Sequence, residues 1–360
     1  MNLSWKEIKH NKGKFILIEA IIILLIFMVV FLSGLANGLA RAVSSGIENT
    51  NASYFVVNED SKDLITGSQL ETSSLLEVEN EAKGEVASLN ILRTSLNMKG
   101  SESKYDITYF AIDSNGFLNP EVNSGDDLNA NNQIVLDKSY EDDNVVIGDV
   151  VEDSKTGIEM EVVGFTSDRT YGHIAVGYIT VDTYNEILKE INPNYIPYFN
   201  AIAIKDNDLI QLDSSTLKVT NKNTIVENIP GYASEQNTII LILWVLVIVS
   251  GAILGVFFYV LTIQKLKQFG VLKAIGMKMS EITRLLVSQI LLLGVSGVVI
   301  GNAISYGLAA LLPDSMPFYL KSIDVLIVSL VFILISILFS LLSIQKVSKV
   351  DPIIMIGESE

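Results

Sequence analysis

Cysteine is absent from the 360 residues, histidine occurs twice and proline seven times. Without cysteine there is no disulfide framework, thiol nucleophile or thiolate metal site, and His10 and His173 are too far apart in sequence to form a compact metal-binding pattern. Positive charge is scarce as well: 25 Lys and Arg face 41 Asp and Glu, a formal charge of −16. That sign repels phosphate, so no nucleic-acid partner is expected. No GxxxxGK followed by Ser or Thr occurs, so the chain lacks the loop that grips nucleotide phosphates. No set of nucleophile, base and oxyanion donors is readable either. An enzyme acting alone is not expected, nor is an intrinsic cofactor.

What the chain has in abundance is apolar residues, 49% of the total, and many of them gather into long runs at 16–35, 239–263, 282–312 and 325–344. Twenty helical residues reach about 30 Å, the thickness of the hydrocarbon layer of a bilayer, so each run is expected to cross it as a helix. A cleaved signal peptide is the rival reading of the first run, but the run is longer than such a segment and no cleavage site follows it promptly. Lysines mark one side. Lys6, Lys9, Lys12 and Lys14 precede the first run, Lys265, Lys267, Lys273 and Lys278 lie between the second and third runs with Arg284 close behind, and Lys346 and Lys349 follow the fourth run. Short basic flanks stay in the cytoplasm, which puts both termini inside. Residues 41–237 carry 33 Asp and Glu against 13 Lys and Arg, a net charge of −20, and fall outside.

The outer block has β-rich stretches at 52–58, 105–113, 132–137, 144–151, 159–167 and 173–182, separated by Asn, Asp, Gly and Ser. TYNEILKEI, 183–191, has helical spacing through Tyr184, Ile187 and Leu188. The expected fold class is an α-helical membrane protein with four transmembrane helices and an α+β extracytoplasmic domain between helices 1 and 2. Its divisions are an interfacial N-terminal helix (1–15), helix 1 (16–37), the outer domain (38–237), helix 2 (238–263), an inner coupling segment (264–281), helix 3 (282–312), an outer loop (313–324), helix 4 (325–344) and a cytoplasmic tail (345–360). Trp5 and Ile8, among lysines, give the first segment a surface for membrane lipid.

Gly251 with Gly255, and Gly297 with Gly301, sit one helical turn apart, spacing that lets helix backbones approach; ordinary glycine enrichment in membrane helices is the alternative. In the inner segment LTIQKLKQFGVLKAIGMKMSEI, 261–282, Leu266, Phe269, Leu272 and Ile275 recur at helical spacing, with Gly270 and Gly276 as breaks. Such a strip suits a membrane surface or a cytoplasmic protein, while its lysines also serve to hold topology.

These residues carry a resemblance. One span, a large outer domain and three more spans, joined to FYVLTIQKLKQFGVLKAIGM at 258–277, resemble the MacB/FtsX-type permease subunits of ABC transporters. MNLSWKEIKHNKGKF at the start, MPFYL at 316–320 and KVDPIIMIG at 349–357 resemble, more narrowly, the heme-efflux permeases of Gram-positive bacteria. The resemblance implies a second copy of the permease as partner, and a cytoplasmic ABC ATPase dimer that binds ATP and Mg and engages Lys267 to Met277, with Gly270, Lys273 and Gly276 shaping the docking surface. It also implies mechanotransmission, in which ATPase closure tilts the membrane helices and pushes cargo outward. Export of another hydrophobic compound or peptide, and FtsX-like signalling to an extracellular partner, are the alternatives.

Heme as cargo needs apolar walls for the porphyrin, a polar or basic edge for its propionates and a ligand for iron. Met28, in the outer half of helix 1, is the candidate iron contact implied by the resemblance, with Val30 and Phe31 as wall; packing between helices is its plainer use. Arg41 is a candidate for the propionates or a boundary anchor, and His173 for a transient iron contact or a role within the folded domain. The Glu141-Asp142-Asp143 run reads mainly as a solvated loop, and Glu19, near the inner end of helix 1, as a snorkelling, paired or protonated carboxyl.

Overall fold

The computed structural model describes residues 12–99, 103–206, 208–210, 212, 214–313 and 316–348. The segment holding Trp5, Ile8 and His10, and the ending from Lys349 onward, lie outside the described residues. The chain divides into two compact units, Met1–Gly38 with Thr238–Glu360, and Leu39–Asn237. Helix α1 (Lys12–Glu48) runs on past the first apolar run. Ala40, Val43 and Ile47 extend its apolar stripe at helical spacing, and all three are buried.

The unit Leu39–Asn237 is an α+β domain built on a mixed sheet. Its longer elements are β1 (Tyr54–Asn58), α2 (Ser73–Glu81), β2 (Glu85–Met98), β3 (Lys104–Ile112), β4 (Gln133–Asp137), β5 (Val150–Asp153), β6 (Glu159–Thr166), β7 (Ile174–Thr180), α3 (Val181–Ile191), β8 (Ala201–Lys205), β9 (Leu217–Asn221) and α4 (Lys222–Glu227). The main path is β9-β1-β8-β2-β3-β7-β4-β6, with β5 bridging β2 and β6. Two neighbouring pairs on this path are parallel, β7 with β3 and β4 with β6. Phe55, Leu89, Phe110, Val176 and Tyr178 lie in its largest apolar cluster. Burial of each such side chain is worth about 1.5–3 kcal/mol.

The longest strand, β2, escapes a reading by alternation because polar residues interrupt it. Asn90 and Thr94 are buried, Asn90 Nδ2 donating to Tyr198 O at 2.8 Å and Thr94 Oγ1 to Asp153 Oδ2 at 3.1 Å, while Asn90 Oδ1 has no hydrogen-bond partner among the described residues. The expected strand at 144–151 is corrected: only its last two residues enter β5. Asn144 and Gly148 adopt positive φ, at 64° and 89°, and the Asp149 carboxylate accepts from the Val146 N–H, so the run is a turn. The expected helix at 183–191 is α3, whose N-terminus is capped by the Thr180 hydroxyl.

In the other unit, α1 is joined by α5 (Tyr232–Gln264), α6 (Leu266–Ala274), α7 (Met279–Ala309) and α8 (Ser322–Ser348). The helices α1, α5, α7 and α8 are long and apolar enough to cross a membrane. Their core gathers Ile22, Ile26 and Val30 of α1 with Phe258, Ile290 and Phe332 of the others. Leu241, Trp244 and Ile248 of α5 stay exposed, as expected of a surface that meets lipid or another subunit rather than water.

Candidate functional site

Between α5 and α6 a single residue, Lys265, leaves the helical run. The far end of α6 is closed by Gly276, whose φ of 100° a side chain would resist. The Gly276 N–H donates to Lys273 O at 3.1 Å and the Met277 N–H to Leu272 O at 3.0 Å, the paired bonds of a Schellman ending. Met277 and Leu272 both rest against the membrane-unit core, supplying its apolar contact. The helix runs through Gly270 rather than breaking there. Gly270 and Phe269 face inward, Lys273 is half-buried, and Lys267 and Gly276 are exposed. Val271 and, at the C-terminal cap, Ile275 are 52% and 74% exposed, so the exposed face of this segment mixes apolar and basic groups.

Each glycine pair meets a particular helix. Side chains at Gly297 and Gly301 of α7 would collide with Ile22 and Ile26 of α1, while at Gly251 and Gly255 of α5 they would meet Ile335 and Phe339 of α8. A further pair, Gly34 and Gly38 on α1, seats residues 317–320 of the outer loop. The Tyr319 N–H donates to Gly34 O at 2.9 Å, and a side chain at Gly38 would overlap the Pro317 backbone. Sequence reading missed this pair because its neighbour is a loop, which has no apolar periodicity to match.

Met28 is 44% exposed on α1. Phe27 and Phe31 stack at 5.5 Å between ring centroids, and Phe31 continues to Phe318 of the outer loop at 5.0 Å. Val30 points the other way, fully buried among the helices, because two residues along a helix turn a side chain by roughly 200°. The partly exposed aromatic surface near Met28 is therefore made by Phe27, Phe31 and Phe318. Lower on the same helix, Glu19 Oε1 accepts from Ser296 of α7 at 2.7 Å, and Oε2 is buried with no hydrogen-bond partner among the described residues.

In the domain, Arg41 and His173 come to one corner. The His173 N–H donates to Ala42 O at 3.0 Å, beside Arg41, and Thr170 Oγ1 donates to Arg41 O at 2.9 Å. The Arg41 guanidinium pairs with Asp168 at 3.1 Å, and His173 Nε2 lies 3.1 Å from Glu235 Oε1. Neighbouring Tyr171 is buried against Phe110, and burial pushes its phenol up to about 12, which keeps it neutral. Glu141, Asp142 and Asp143 form an exposed loop, and no metal-binding cluster of acids and histidines occurs among the described residues.

The family described as FtsX-like permease C-terminal matches residues 240–352, which hold α6 and the last spans. Over 361 aligned residues, all of both chains, the sequence is 31% identical to a Staphylococcus haemolyticus protein named as a proposed hemin transport system permease, HrtB. A Staphylococcus epidermidis protein of the same name is 31% identical over 360 residues, 99% of each chain. Among solved structures, the extracellular domain of YknZ, a noncanonic ABC-type transporter from Gram-positive bacteria, aligns at a TM-score of 0.30 and 12% identity over 46% of this chain and 84% of that one. The end-to-end likeness to the HrtB proteins makes this chain a membrane-spanning FtsX/MacB-type ABC permease, its α+β domain extracytoplasmic and its ATP hydrolysed by a separate partner ATPase.

Proposed function

We propose that the chain is the permease subunit of a heme exporter, in which two copies flank the cargo and ATP hydrolysis by the partner drives heme outward by mechanotransmission. The observation that carries this reading is the full-length 31% identity to permeases named for hemin transport. The chemistry of the membrane unit supports it. Met28 offers a soft thioether at a partly exposed position, and Phe27, Phe31 and Phe318 offer flat apolar faces to a porphyrin. In the domain, any contact of Arg41 with a propionate, or of His173 with iron, competes with Asp168 and Glu235. The outer face of α6, with Lys267, Lys273, Gly276 and Ile275, is the surface proposed for the ATPase.

The test is reconstitution of permease and ATPase in liposomes, with heme movement followed under ATP and under a nonhydrolysable analogue. ATP-dependent movement of heme is expected. Equal movement under both nucleotides, or movement of an unrelated compound alone, overturns the reading; a stable extracellular protein partner without cargo stimulation favours signalling instead.

A further inference from the structure

Lys265 occupies the one-residue joint between α5 and α6, and it is 7% exposed. A lysine at the end of a span normally extends its ammonium to the interface. This one turns inward. Its Nζ donates to the Gln289 amide oxygen of α7 at 2.6 Å and lies 5.2 Å from the ring centroid of Phe15 on α1. Gln289 and Phe15 are themselves buried, 0% and 4% exposed. The backbone of Lys265 is engaged too, its N–H donating to Thr262 O at 3.1 Å and its carbonyl accepting from the Phe269 N–H at 3.0 Å. One residue thus joins the last turn of α5, the first turn of α6, the N-terminal third of α7 and the base of α1.

Physical chemistry makes that junction stiff. A buried ammonium is costly unless its hydrogen bonds are made, so it resists leaving Gln289 when α6 is displaced. The cation over the Phe15 face adds a second, less directional attraction. A swing of α6 about Lys265 therefore draws α7 and α1 with it instead of being absorbed by a flexible connection.

We propose that Lys265 is a positioning residue for energy coupling: it transmits displacement of α6 to α7 and α1. This rests on the reading of α6 as the ATPase contact. The experiment uses the full permease–ATPase complex and measures heme exported per ATP hydrolysed in liposomes, beside co-purification of the two subunits. Lys265→Met keeps the apolar stem and removes the charge; it is expected to retain the ATPase and its hydrolysis, while export per ATP falls at least about tenfold. Lys265→Arg, which still donates to an amide oxygen, should recover most of the ratio. Gln289→Leu should lower it in the same way, and carries the test if Lys265→Met does not assemble. An unchanged ratio in Lys265→Met, or in Gln289→Leu where that variant carries the test, an Arg variant as defective as the Met variant, or loss of the ATPase from an assembled Lys265→Met permease overturns the proposal. Failure of the docking reading shows separately, as an Ile275→Asp permease with Lys265 intact that still co-purifies with the ATPase.

Discussion

Asn37 Nδ2 donates to Asp324 Oδ2 at 2.6 Å, tying α1 to the first turn of α8 although 287 residues separate them. With the Tyr319 to Gly34 bond and the Pro317 backbone seated on Gly38, it straps the outer loop to the first membrane helix.

Gly38→Leu should therefore destabilise the purified permease by about 1–3 kcal/mol or more, since the new side chain must displace backbone rather than a pliable side chain. Gly307→Ala is the control, a helical glycine of α7 with nothing within 4 Å of a new Cβ. It should be neutral or stabilising by about 0.5–1 kcal/mol. Thermal unfolding in detergent separates the two, and equal behaviour would show that the loop does not rest on α1.

Gly276→Ala strains the ending of α6, at a cost of about 1–2 kcal/mol if the positive φ is retained. The last turn, with Ile275, should open, and the yield of ATPase recovered on tagged permease should fall while permease yield is unchanged. Full recovery would detach this turn from the surface proposed for the ATPase.

Met28→Ala removes a side chain that is nearly half exposed, so stability should change little. If the thioether contacts iron, the absorption spectrum of heme bound to the complex shifts and export slows. An unchanged spectrum together with an unchanged rate removes Met28 from the ligand set.

Alkali should loosen the outer domain. Burial pushes the phenols of Tyr171 and Tyr178 up from 10.0 to about 12. Between those values the folded domain holds protons that the unfolded chain has lost, so stability is fully present below pH 10 and declines as pH rises, by about 1.4 kcal/mol per pH unit for each tyrosine. Melting temperature against pH, with phenolate absorbance as monitor, checks this. Tyr178→Phe should flatten the slope, and an equally steep profile in that variant would exclude this tyrosine as a cause.

The spans were legible because long apolar runs leave few alternatives, and the sidedness because lysines gather at 265–278 while acids gather at 41–237. The strands of the outer domain were only partly legible. The stretches around β3, β6 and β7 show through their β-branched and aromatic residues, but β2 buries Asn90 and Thr94, whose side-chain donors reach Tyr198 and Asp153, partners far along the chain that residue type alone does not reveal. Conversely, 144–151 has a strand's composition throughout, yet 144–149 takes a turn's geometry and only 150–151 pair as strand.

By itself the sequence determined that this is a four-span membrane protein with an acidic outer domain and a basic inner segment, because those properties follow from residue type counted along the chain. Only the tertiary structure decided that Val30 turns inward while Met28 stays partly exposed, that Gly34 and Gly38 seat a loop, and that Lys265 is buried against Gln289 and Phe15. Such facts depend on which distant side chains fill the space beside each residue, and residue type alone leaves that partner unspecified.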